Sequence, residues 1–482
     1  MKFIFKIFLL LFLFLSCSKK NEKPLINERV SAFLKNNKNV VLFGKVELNS
    51  LLNKSGIKKV PKIGLLLNSV LDEFKSTIIL ENPIYFASEG PFDTKGIPNS
   101  FYTFISIKNS DSLVLDLTKK GYDFNDYEGF KYAEFGKFSL GVENDLAIVV
   151  FKQEEYNSRD ILNLAFSNTK GELSNDLVNK MLLAKGDISA SIDLDALYST
   201  SNTELEKLSE EKRKEIKSLV QNSYIQTSVE FKDGEVIIDS KNYFSDQLKN
   251  KLFFKTDKNA VLLSKLGNGT PRLALTLNID INKLENFIND YSPGFFNKIG
   301  DELGGPIQMA MMMGGENPLS GLFNGELGFS IFGNPQLNGG FIPDFTIFLG
   351  LGDKGNSIAD LVKPFLTNGT MKTKIDSRSI FCSSSEKYFP QIPKKISSPF
   401  GFESFGKKSI TGFANFEGMN MSSFELEGGA KIITEIKYIT FEVDSSGFII
   451  HIKAKNQKDN ILKKTLNFFL EEYKSQISNL PI

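Results

Sequence analysis

The 482-residue sequence has one histidine, two cysteines and no tryptophan, and each shortage removes a class of function. A lone histidine, His451, speaks against histidine-based triads and multi-histidine zinc sites. With two cysteines, Cys17 beside an N-terminal apolar stretch and Cys382 far downstream, the chain has no disulfide framework and must rest on packed cores. Lack of tryptophan takes away the broad aromatic platform that sugar-binding sites commonly use. Charge of either sign is not in excess, with 58 basic and 57 acidic side chains. Such a balance implies neither nucleic acid nor an anionic membrane surface as a partner. Beyond the first 16 residues no apolar run approaches the roughly 20 residues that a membrane-spanning helix needs. Walker-type phosphate loops, dinucleotide fingerprints and calcium loops are missing too: the glycine pairs Gly304-Gly305 and Gly314-Gly315 lack the neighbouring lysine or strand-to-helix setting. No cofactor is called for.

What is present begins at the N-terminus. Lys2 and Lys6 precede an apolar run from Phe8 to Leu15, which closes on Phe14-Leu15-Ser16-Cys17 and passes into a polar stretch. That run has the length of a signal-peptide core. A cysteine at the cut marks a lipobox, so residues 1–16 are expected to be removed and Cys17 to be lipidated, with residues 17–24 as a tether. Several acyl chains, at about 0.8 kcal/mol per buried methylene, make a lasting anchor. The membrane is therefore one expected partner. Ser18 is not the aspartate of the enteric inner-membrane retention rule, which favours the outer membrane and leaves its two faces undecided.

Downstream, the chain reads as if written twice. The strand-helix unit at residues 39–53 recurs at residues 272–287, that at 101–119 recurs at 344–366, and the strand at 147–156 recurs at 379–388. The segment 187–195 recurs at 409–417. A hairpin at 228–238, turning at Asp233-Gly234, recurs at 440–450. The expected fold is α+β, with two similar halves at residues 25–255 and 260–482, each a mainly antiparallel sheet covered by helices. Alternation of Val40, Leu42, Gly44 and Val46, and of Val229 and Phe231, predicts sheets with one covered face. After Pro61, Ile63, Leu66, Leu67, Val70, Leu71 and Phe74 fall at the spacing of one buried helical stripe.

Few residues point to chemistry. Asp193 and Asp195 would project from one face of a strand, as a carboxylate pair or cation site requires, yet Asn415 and Glu417 hold the matching positions, which suggests helix capping instead. Ser55/Lys58, Ser209/Lys212 and Ser404/Lys407 have Ser-x-x-Lys spacing without its companion motifs. Cys382 reads as a small buried residue, and His451, between Ile450 and Ile452, as a solvent-facing strand residue. Residues 304–323 are the most unusual local feature: Met309, Met311, Met312 and Met313 lie among paired glycines with no charge until Glu316. They suit a core helix, an adaptable apolar contact surface or, least well, a thioether metal site.

A lipobox, the strand Val40 to Leu48 with Leu51-Leu52-Asn53-Lys54-Ser55-Gly56 behind it, and a duplicated α+β body together resemble a family of uncharacterised Bacteroidota lipoproteins classed only as a domain of unknown function. The resemblance implies a Gram-negative envelope and a lipoprotein, and assigns no activity or ligand. A non-enzymatic envelope lipoprotein with a binding or scaffolding role is therefore expected, partnered by an envelope protein or a small ligand. The alternatives are a hydrolase with serine-lysine or carboxylate chemistry, and a carrier of apolar ligands.

Overall fold

The computed structural model describes residues 25–472 except 94, 154–155, 171–175, 201–208, 256–261, 263–264, 293–294, 296–313, 316, 334–342, 361–370, 390–399 and 420–427. Its first part runs α1 (Ile26–Asn36), β1 (Val40–Val46), α2 (Leu48–Ser55), α3 (Ile63–Phe74), β2 (Ile84–Phe92), β3 (Pro98–Ser106), α4 (Ser110–Lys119), β4 (Asn125–Tyr127), β5 (Phe130–Phe135), β6 (Phe138–Glu143), β7 (Leu146–Lys152), α5 (Ser158–Asn168), α6 (Asp176–Leu182), β8 (Ile188–Asp193), α7 (Leu194–Thr200), α8 (Glu210–Val220), β9 (Tyr224–Lys232), β10 (Glu235–Tyr243) and α9 (Asp246–Lys251). The second runs β11 (Leu273–Asn278), α10 (Ile281–Tyr291), α11 (Pro318–Leu322), β12 (Phe323–Phe332), β13 (Asp344–Leu351), β14 (Lys372–Asp376), β15 (Ser379–Ser383), β16 (Ile410–Asn415), β17 (Ile436–Asp444), β18 (Gly447–Ala454) and α12 (Ile461–Glu472). Local chemistry sets many boundaries. Asn109, Asn157, Ser209 and Asp280 each accept a backbone N–H of the first turn of the helix that follows, which satisfies a donor that the helix itself leaves without a partner. Gly234, at φ +68, makes the tight β9–β10 turn that a side chain would strain.

The chain is α+β, built on one antiparallel sheet of 18 strands. Neighbours follow the order β4-β5-β6-β7-β3-β2-β1-β8-β9-β10-β18-β17-β16-β11-β12-β13-β15-β14. The expected two sheets are thus a single sheet, because β10 and β18 each present a free edge and pair with one another, with Ile238 opposite Ile450. Outward from that junction the order is 10-9-8-1-2-3-7-6-5-4 on one side and 18-17-16-11-12-13-15-14 on the other, so the first eight positions correspond and β5 and β4 extend the first side. Helices cross the junction in both directions. Lys251 of α9 meets Asp290 of α10 at 3.4 Å, while α12 packs on α2.

Strand parity divides the sheet into two faces. Face A carries the large cores. Phe43, Tyr85, Tyr102, Phe104, Ile148 and Val150 pack under Phe33 of α1, Phe166 of α5 and Met181 of α6. In the second part Ala274, Phe348, Phe381 and Phe413 pack with Leu262, Leu266 and Phe405. Face B has smaller clusters: Val142 and Ala147 with Leu113 of α4, Val236 with Ile461 of α12, and Ile380 and Cys382 with Leu322 of α11. Two expectations need correcting. Leu42, Val46, Val229 and Phe231, read as the covered side, lie on face B and are only half-buried; β1 is apolar on both sides, and the helices took the Phe43 side. Nor is the stripe of α3 buried. Only Gly64 is, and a Cβ on it would stand 2.4 Å from the Lys58 carbonyl oxygen. The helix docks through that glycine onto its own preceding turn, which leaves Leu66 and Val70 in solvent.

Candidate binding surface

The residues flagged for chemistry are occupied by structural work. Asp193 ends β8 and accepts the backbone N–H groups of Asp195 (2.9 Å) and Ala196 (3.1 Å), so it caps α7. Asn415 accepts the Glu417 backbone N–H at 3.0 Å, but residues 417–418 form a turn and not a helix, so the expected capping is seen only at Asp193. Burial pushes the Asp193 carboxyl above the usual carboxylate range, against the pull of those donors. It stands beside Tyr224, whose phenol is also pushed up, first by burial and then by that carboxylate. Both border a cleft between α1, α7 and α8 with Lys217 and Gln221 at its rim.

Of the Ser-x-x-Lys pairs, Ser209 caps α8 through the Lys212 backbone N–H while the Lys212 amine pairs with Glu215 at 2.9 Å. The Ser55 hydroxyl donates to the Leu52 carbonyl and the Lys58 amine to Asn53. Ser404 takes part in a turn, accepting the Lys407 backbone N–H at its carbonyl. None places a lysine amine on its serine hydroxyl in these bonds. Cys382 is 5% exposed, and burial pushes its thiol up, away from the reactive thiolate. Cys17, Met309, Met311, Met312 and Met313 lie outside the described residues.

His451 is half-buried rather than solvated. Its Nδ1 lies 2.8 Å from Glu235, which also binds the Lys453 amine at 2.8 Å. Burial alone would raise the Glu235 carboxyl, but the hydrogen bonds from Lys453 and His451 outweigh it and hold it below the ordinary range. The group ties β10 to β18 on face A, where the middle of the sheet is polar. Gln226, Ser228, Glu230, Asp239 and Lys241 line a cleft of about 420 Å³ there, with Lys180 and Lys185 on one side.

Face B differs in kind. From β3 to β13 its strand positions include Leu42, Ile84, Phe86, Phe101, Ile192, Ile225, Ile238, Ile450, Phe448, Phe441, Leu275, Phe329 and Ile347, none of them fully buried. Uncharged polar residues, Ser88, Thr103, Thr227, Ser240 and Asn242, hold other positions of the same face. Phe86 and Phe101 stack with ring centres 6.1 Å apart. The Phe86 ring also lies over Gly44, where a Cβ would meet it at 2.8 Å and the Ser189 carbonyl oxygen at 2.0 Å. The Phe441 ring lies over Gly412 in the same way. Glycine lets the strands approach and an aromatic ring covers the gap. A sequence reading that looked for one apolar face per sheet missed this surface. Its signal is that strands such as Val40-Val41-Leu42-Phe43 are apolar at both parities.

No family model matches the chain, and no curated protein matches it. Among solved structures, that titled "Structure of crystal form I of TP0453" is similar over 45% of this chain and 79% of that one, at 11% identity and a TM-score of 0.26. At that score the likeness carries no conclusion about fold or function.

Proposed function

We propose that the chain is a non-enzymatic envelope lipoprotein, anchored through Cys17 at the outer membrane, whose role is binding and whose ligand is apolar. The single observation that carries this reading is face B, an uncharged sheet surface of half-exposed phenylalanine, leucine and isoleucine. Scattered exposed apolar residues are ordinary, whereas a continuous apolar surface marks a binding site. Support for the absence of catalysis comes from the candidate groups: Asp193, Ser209 and Cys382 are each committed to a cap or to packing. Membership of the Bacteroidota lipoprotein family rests on the lipobox and the first strand-helix unit.

The two halves are proposed to descend from an internal duplication. Matching strand order on the two sides of β10–β18, and the reciprocal helix crossings, support it. A scaffold role, with an envelope protein rather than a small molecule as partner, is kept by the polar groove on face A.

The test is purification of the chain from its native envelope beside a Cys17→Ala control, followed by mass spectrometry of what accompanies it. A stoichiometric lipid or other apolar molecule is expected. A stoichiometric protein bound in its place would support the scaffold. A clean, ligand-free protein that hydrolyses envelope substrates would overturn both.

A further inference from the structure

We infer that α3, with the turn before it, is a contact surface for an anionic lipid bilayer. This inference does not depend on acylation of Cys17. Leu65, Leu66 and Val70 of α3 are 65%, 40% and 50% exposed, three large apolar side chains within two turns of one helix. Residues 48–71 hold four lysines, Lys54, Lys58, Lys59 and Lys62, and no aspartate or glutamate. Asp187 engages Lys54 at 2.7 Å. The other three stand just ahead of α3, and the stem of Lys463 from α12 lies 3.6 Å from the Cβ position of Gly56. The acidic residues nearest in sequence, Asp72 and Glu73, sit at the far end of the helix, and Glu73 pairs with Lys120 at 2.8 Å.

Protruding leucines flanked by lysines are the composition of a helix that lies in the headgroup region, apolar side inserted and amines on phosphates. A second copy of this chain fits less well, since like-charged lysine clusters would meet. The balanced charge of the whole chain conceals the patch, because the compensating acids lie elsewhere. Phe74 roots the helix among Ile105, Val142 and Val149 on face B, so a bilayer at α3 would adjoin the rim of the apolar surface.

The absence of tryptophan makes a local test direct. In the full chain, Leu66→Trp places the only indole on α3, and Leu164→Trp places it instead on α5, over face A, where the native leucine is 58% exposed. Each is mixed with phosphatidylcholine vesicles, with or without about one third phosphatidylglycerol. The readouts are emission wavelength and quenching by brominated acyl chains. An acyl anchor carries both variants to the vesicle, so only the local signal counts. The Leu66→Trp indole is expected to shift blue and be quenched on anionic vesicles, and to lose most of that signal in about 0.5 M salt. The Leu164→Trp indole is expected to stay in water. Adding Lys58→Glu, Lys59→Glu and Lys62→Glu should lower the inserted fraction by roughly tenfold or more. Equal quenching at both sites, or a water-like Leu66→Trp indole on anionic vesicles, would overturn the inference. Leu65→Trp replaces Leu66→Trp if that variant unfolds.

Discussion

Faces A and B are made by the same strands, often by adjacent residues, and differ in how fully they are covered. Phe104 on face A is fully buried, while Phe101, on the same strand and the opposite face, is only half-buried. Helices α1, α5 and α6 sit on the first and leave the second partly open. One face therefore carries the larger cores, and the other holds smaller clusters with half-buried apolar side chains between them. Face A also holds the charged groups at the junction, so the pH response of stability should arise there.

The sharpest test pairs Phe104→Ala with Phe101→Ala. The first should cost about 3–5 kcal/mol, because burial is complete and a cavity remains. For the second, about 2 kcal/mol or less is expected, since burial of the ring is incomplete. Chemical denaturation midpoints measure both, and equal losses would show that face B is a second core. Phe413→Ala against Phe329→Ala extends the test to the other part of the sheet, with the same ordering expected.

Smaller effects follow from charge. Glu235→Gln should cost about 1–2 kcal/mol at neutral pH, as it removes the charge partner of Lys453 and His451 at a partly buried site. Its lowered carboxyl contributes stability above the ordinary carboxylate range that is lost as pH falls through the folded value. The variant should accordingly lose less on acidification than the parent in a melting-temperature series. Asp193 has the opposite sign: its raised carboxyl favours the folded state at low pH, and that gain disappears as pH rises through the folded value. Asp193→Asn keeps an oxygen for the two cap N–H groups, so a change under about 1 kcal/mol is expected at neutral pH. A large loss there would mean that its negative charge, and not its acceptor oxygen, holds α7.

Much of the fold was legible from local pattern. The hairpin at Asp233-Gly234, the strand-helix units and the capping role of Asp193 are written in a few neighbouring residues each. The joining of two sheets into one was not, because edge pairing depends on which strand is left free at the end of each part. Side choice in β1 was also hidden: Val41 and Phe43 are as apolar as Leu42 and Val46, and only the position of α1, α5 and α6 decides between them. Periodicity likewise showed that α3 is amphipathic without showing which way it faces. The helix is seated on the Lys58 carbonyl at Gly64, so Ile63, Leu67, Leu71 and Phe74 of the expected stripe are half-buried while Leu66 and Val70 are exposed. The lysines ahead of α3 went unnoticed because a whole-chain charge balance averages over position.

The pairing of β10 with β18 has a consequence for biogenesis. Glu235 and His451 are 216 residues apart in sequence, so β10 emerges from the ribosome long before its partner exists. Until then a nine-residue strand offers its unpaired N–H and C=O groups to any extended segment nearby. A sheet completed only when the last strands arrive makes this edge the point where slow folding or self-association would begin.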